Sequence, residues 1–160
     1  MTDFVLLCAV PGAGKTYFGK VAEESGEYKL VSSDDIREAL WGDASIQKNP
    51  KRVFSEMEAR TIANLQEGYN VIYDATNIKR KDRLSILNKV KELCPSVGTY
   101  CLRFDVPLDE CIRRAAARER TISADVIYRM AERFEEPEYD EGWDYICTIR
   151  PIKEESNEVK

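Results

Sequence analysis

Phe4-Val-Leu-Leu-Cys-Ala9-Val-Pro-Gly-Ala-Gly-Lys-Thr16 decides the fold: an apolar run, then a glycine-rich turn, then a segment that reads as helix from Lys15 onward. The run has the look of a central parallel strand, covered on both faces. The turn reads as a phosphate cradle. Gly12 and Gly14 have no Cβ, so backbone N–H groups can curl inward onto an anion while the helix adds its positive end. Lys15 is placed for the β- and γ-phosphates of a nucleotide and the Thr16 hydroxyl for Mg²⁺. Pro11, Gly12, Ala13, Gly14 and Tyr17 complete the expected nucleotide-binding stretch. The pattern G-x-x-x-x-G-K-[ST] is met except at its first position, where Ala9 stands for Gly. That position closes a strand, and Ala adopts the same negative φ there.

Composition narrows the chemistry. A chain of 160 residues, 43% hydrophobic and 33% charged, is expected to form one domain over 1–160. The net charge of −5 means that a nucleic-acid partner has to be held by a local basic patch. With no histidine in the chain, imidazole acid–base chemistry and His metal sites are excluded, and carboxylates must do any base work. Cys8, Cys94, Cys101, Cys111 and Cys147 are scattered without a C-x-x-C pair and read as small core residues of a reduced protein. No apolar stretch nears the roughly 20 residues of a membrane span, and the N-terminus lacks a signal-peptide pattern, so a cytoplasmic location is expected. The polar tail 154–160 is expected to fray.

Along the chain, strands and helices alternate. Phe18, Val21 and Ala22 mark the inner side of the first helix, and Tyr28–Val31 a second strand. A short helix follows, with Ile36, Ala39 and Leu40 inward and Asp34, Arg37 and Trp41 on another stripe. A longer helix carries Phe54, Met57, Thr61, Ile62 and Leu65. Asn70–Asp74 is a third strand, followed by a helix with Leu84, Leu87 and Val90 inward. Val97–Phe104 is a fourth strand. An Arg-rich helix runs to about Arg118, the next helix carries Val126, Ile127, Met130, Ala131 and Phe134, and Tyr145–Ile149 is a fifth strand. This order predicts a three-layer α/β sandwich on a five-stranded parallel sheet, with ligands at the carboxyl ends of the strands.

Four constellations carry chemistry. Asp74 ends the third strand, where a carboxylate holds the Mg²⁺ shell directly or through water. Asp34 and Asp35 offer a base for a substrate hydroxyl. Asp34 shares its stripe with Arg37, which can grip an anionic group, so Asp35 is the more structural of the two. Arg113, Arg114, Arg118 and Arg120 fit a lid that brings a cation to the γ-phosphoryl group, and equally a helix with cations at its C-terminal end. Lys79, Arg80, Lys81 and Arg83 are either a solvated helix start or an entry for a polyanionic acceptor.

Together, Pro11-Gly-Ala-Gly-Lys-Thr16, Ser33-Asp-Asp-Ile-Arg37, Asp74-Ala-Thr-Asn77 and Arg114 through Val126 resemble the 5′-kinase domain of phage-type polynucleotide kinases and the related small P-loop (AAA_33-like) kinases. The resemblance runs from about Phe4 to Ile149. It implies a P-loop NTPase fold with an adenylate-kinase-like strand order 2-3-1-4-5 and a helical lid at about 113–134. By it, Lys15 and Thr16 bind ATP and Mg²⁺, Asp34 is the general base, and Arg37 meets the acceptor's phosphate. Arg118 reaches the transferred phosphoryl, with Arg120 as a second candidate, and Arg114 packs on adenine. Asp74, Thr76, Asn77 and Arg83 join the acceptor site. Ala9, Ala115-Ala-Ala117 and Arg120 depart from the family's pattern. The implied activity is transfer of the ATP γ-phosphoryl to a 5′-hydroxyl of DNA or RNA. A small-metabolite kinase, and an ATPase switch with no acceptor, are the alternatives.

Overall fold

The computed structural model describes residues 2–118 and 122–151. The tail 154–160 and Arg120 lie outside them. Five strands, β1 (Asp3–Cys8), β2 (Tyr28–Ser32), β3 (Asn70–Asp74), β4 (Gly98–Phe104) and β5 (Tyr145–Ile149), form a parallel sheet in the order β2-β3-β1-β4-β5. Six helices join them: α1 (Lys15–Glu24), α2 (Ser33–Trp41), α3 (Pro50–Gln66), α4 (Arg80–Leu93), α5 (Leu108–Ala116) and α6 (Ala124–Glu132). The predicted architecture and strand order are both found. Among the described residues no helix is long and apolar enough to cross a membrane.

β1 sits at the centre, and its period of two divides the core. Phe4, Leu6 and Cys8 face one layer with Val53, Met57, Leu87 and Val90 of α3 and α4, and Val5, Leu7 and Ala9 face the other with Cys111, Ala115 and Ile127 of α5 and α6. Helix starts follow local chemistry. Ser32 caps α2 by accepting from the Asp35 N–H at 3.4 Å, and Asn49 with Pro50 opens α3.

Several inward faces differ from the expected ones. On α3 the buried row is Val53, Met57, Thr61 and Leu65, one residue away from the row that begins on Phe54, and Phe54 is 38% exposed. Val21 is also outside, as is Cys147, whereas the other four cysteines are buried.

The largest correction concerns Arg83. It was expected in the acceptor site, but it is fully buried on α4 beside Ile86, Leu87 and Val90. Its guanidinium donates to both Glu141 carboxylate oxygens, at 2.8 and 3.0 Å, and to the Asn77 carbonyl at 2.9 Å. Glu141 also accepts from the Glu138 N–H and the Trp143 indole. A charge with no route to water needs such a fork of donors and acceptors, and this one ties α4 to the turn before β5. Arg80 likewise donates to Asp140 at 2.7 Å, so the acidic turn 138–141 answers part of the basic run.

Candidate active site

A cleft of about 620 Å³ opens at the carboxyl ends of β1, β2 and β3. The expected phosphate turn forms its base. Gly12 and Gly14 have φ of +87° and +96°, and Gly14 is the N-cap of α1, which leaves that helix's first N–H groups directed into the turn. Gly12 has a second reason to be glycine: a Cβ there would lie 2.2 Å from the Cys111 carbonyl oxygen of α5. Gly12→Ala is therefore expected to cost about 2 kcal/mol or more, read as a lowered unfolding midpoint together with weakened nucleotide binding. A variant as stable as the parent would show that the loop and α5 separate easily.

Lys15 folds back over the turn and donates to the carbonyls of Ala9 and Val10 at 3.2 and 3.1 Å. Burial holds its ammonium below the ordinary lysine range, against the pull of Asp74. The Thr16 hydroxyl donates to Asp74 Oδ2 at 3.3 Å, and burial raises the Asp74 carboxyl above the usual range although Lys15 opposes this. Thr16 and Asp74 present only hard oxygens. Among the described residues no group of three or more His, Cys, Asp or Glu gathers to cage a metal. That donor set suits Mg²⁺, which keeps several waters and shares the phosphates of its nucleotide, and it does not suit a metal that needs a full protein shell.

The other wall comes from α2. Arg37 Nη1 donates to Asp34 Oδ1 at 3.1 Å, so the pair expected from the i, i+3 spacing is formed, and both line the cleft. Asp35 is exposed on the same first turn. Arg118 and Thr76 line the cleft as well, and the Thr76 carbonyl accepts from the Ala9 N–H at 3.0 Å.

Other expected contacts fall elsewhere. Asn77 is buried with φ of +51°, and its amide donates to the Leu7 and Ala75 carbonyls at 2.7 and 3.2 Å. It fastens the turn after β3 to the end of β1, a structural bond that the sequence did not announce. The Ala13 side chain belongs to the core, leaving only backbone for a ligand, and Tyr17 is 77% exposed. Arg114 donates to Glu110 at 2.9 Å and lies close to Gly14. The cleft also takes residues with no sequence signal for it: Gln47 from the turn before α3, Phe54, Ile122, and Val126 and Met130 of α6. Val126 and Met130 have the helical spacing of core residues, and the sequence offers no way to tell a core stripe from a cleft wall.

The AAA_33 family model, an AAA domain, matches residues 4–137. The L-seryl-tRNA(Sec) kinase of Methanococcus maripaludis is 27% identical over 150 residues, covering 88% of this chain and 55% of that protein. Among solved structures, a chain of the Pnkp1/Rnl/Hen1 RNA repair complex is 26% identical with a TM-score of 0.72, covering 82% of this chain and 43% of its own. A kinase-like protein from Chloroflexus aurantiacus has a TM-score of 0.74 at 15% identity, covering 93% and 85% of the two chains. The chain thus spans about half the length of the curated relative and of the RNA-repair chain.

Proposed function

Because the chain belongs to the AAA_33 family of P-loop kinases, which implies ATP and Mg²⁺ use, we propose that it transfers the ATP γ-phosphoryl group to the 5′-hydroxyl end of a nucleic acid. The observation that carries this reading is the Asp34–Arg37 pair in the cleft that holds Lys15. A carboxylate that accepts the hydroxyl proton, joined to a guanidinium that grips an anion, fits an acceptor whose hydroxyl lies one sugar away from a phosphate. The two relatives above a quarter identity are named for RNA, one as a seryl-tRNA kinase and one as part of an RNA repair complex, which supports an acceptor built on nucleic acid.

Each residue then has one task. Lys15 exchanges its two carbonyl partners for the β- and γ-phosphates, and the turn N–H groups bind the same oxygens. Thr16 and Asp74 hold Mg²⁺, which neutralises phosphate charge when bound. Asp34 takes the proton of the attacking hydroxyl, Arg37 fixes the acceptor, and Arg118 meets the charge on the transferred group from the lid side.

Offering γ-labelled ATP to 5′-hydroxyl DNA, 5′-hydroxyl RNA and a pool of small metabolites tests the reading. Label on a nucleic-acid end supports it, and label on a small metabolite alone overturns it. That second reading is favoured by Arg80, whose pairing with Asp140 interrupts the basic run a polyanion would follow. Asp34→Asn keeps size and polarity but loses the base, so kcat is expected to fall by about 10²-fold with the KM for ATP little changed. Asp35→Asn should do less. A larger kcat loss for Asp35→Asn would mean the base is misassigned.

A further inference from the structure

Phe54 is the wall shared by the cleft and a second pocket of about 450 Å³ between α3 and α4, which none of the roles above employs. Tyr73 of β3 lines this pocket. It is only 3% exposed, yet its hydroxyl makes no hydrogen bond to a described residue. A phenol in the lining of a pocket, with no hydrogen-bond partner among the described residues, is a donor and acceptor left for whatever enters. Around it stand Glu58 of α3 and Asp82 of α4, neither paired with a described cation, and the hydroxyls of Ser55 and Ser85. Burial, with the two carboxylates acting in the same direction, pushes the Tyr73 phenol far above its ordinary range, so it stays a proton donor.

This lining sorts ligands. Lys51 also faces the pocket but is outnumbered by the two carboxylates, so a phosphate is repelled. A flat ring meets an aromatic face at Phe54, and N–H groups on its edge meet carboxylates that only accept. A nucleobase has both properties, and single-stranded bases are commonly held by an aromatic face and edge hydrogen bonds.

We propose that this pocket binds the nucleobase of the acceptor's 5′-terminal nucleotide, with Phe54 on the ring face and Glu58, Asp82 and the Tyr73 hydroxyl on the edge. The proposal rests on the nucleic-acid reading above and adds which part of the acceptor is recognised, namely a base, with N–H donors preferred. Adenine, cytosine and guanine present amino groups, whereas thymine offers one N–H between two carbonyls that the carboxylates repel.

The test uses single-stranded DNA oligonucleotides that differ only in the 5′-terminal unit: deoxyguanosine, deoxyadenosine, deoxycytidine, thymidine or an abasic deoxyribose. With the parent protein, the abasic acceptor is expected to show a KM about tenfold above the amino-bearing ones, with thymidine between. Phe54→Ala, Tyr73→Phe and the double change Glu58→Gln with Asp82→Asn should each raise KM for the base-bearing acceptors. Tyr73→Phe and the double change, which lie outside the cleft lining, should leave KM for ATP and for the abasic acceptor unaltered. Phe54 and Asp82 are exposed, and Tyr73→Phe keeps the buried ring, so the variants should keep their unfolding midpoints. Equal KM for abasic and base-bearing ends in the parent overturns the proposal while leaving the nucleic-acid reading standing. An equal rise for the abasic acceptor in Tyr73→Phe or in the Glu58→Gln, Asp82→Asn double variant overturns it too, because these residues would then act without contacting a base. If no oligonucleotide accepts label, both readings fall together.

Discussion

Lys15→Ala is expected to lower phosphoryl transfer by about 10³-fold or more while leaving the fold in place. In the structure its ammonium is buried, held below the ordinary lysine range, and bonded to two backbone carbonyls of the turn. Burial is the largest influence and acts against the charge, so the ammonium is kept at a cost in stability. Removing it relieves that cost and leaves two carbonyls at the edge of an open cleft, where water satisfies them. Stability should therefore change little. Transfer should not survive, because a cation at the β- and γ-phosphates stabilises charge in a site where water has been replaced. The measurement is single-turnover transfer from γ-labelled ATP beside the thermal unfolding midpoint. Transfer at the parent rate would remove the phosphate-cradle assignment, and a collapsed midpoint would show that Lys15 is a structural residue.

What the sequence made legible was local. The Asp34–Arg37 pair needs only one turn of helix, so the i, i+3 spacing was enough to place it. The phosphate turn is continuous in sequence, and β1 shows its central position by a run that is apolar on both alternations. The α3 face slipped by one residue because Val53 and Phe54 are both apolar, and either begins a plausible row toward Met57. The period alone does not choose between them.

Long-range polar pairing left no such trace. Arg83 lies in a basic run, and its partner Glu141 is 58 residues away in an acidic one, so each looks like part of a solvated surface until the fold brings them together. Asn77 is similar. Its left-handed backbone and its bonds to Leu7 and Ala75 are tertiary facts, whereas in sequence it stands in a motif that suggests substrate. The apolar α6 residues Val126 and Met130 err in the opposite sense, since a cleft wall and a core stripe have the same spacing.

Glu141→Gln is expected to cost about 3–5 kcal/mol, because it leaves the fully buried Arg83 guanidinium without its counter-charge. For a chain of this size that is a fall of roughly 10 °C in unfolding midpoint. The pH dependence supplies an independent readout. Burial on its own would raise the Glu141 carboxyl, but the hydrogen bonds from Arg83, the Glu138 N–H and the Trp143 indole bring it below the ordinary carboxylate range. A carboxylate depressed in the folded state contributes stability that is fully present above its unfolded pKa, near 4.3, and is lost as pH falls through the lower folded value. Parent stability should accordingly drop through this acidic window, and that part of the drop should be missing in Glu141→Gln. Replacing the pair together, Arg83→Met with Glu141→Leu, removes both desolvation costs and should recover much of the loss. Denaturant unfolding of the three proteins between neutral and acidic pH decides the matter. A Glu141→Gln variant within about 1 kcal/mol of the parent at neutral pH would mean that water or another acceptor reaches Arg83, and that the pair does not hold α4 to the turn before β5.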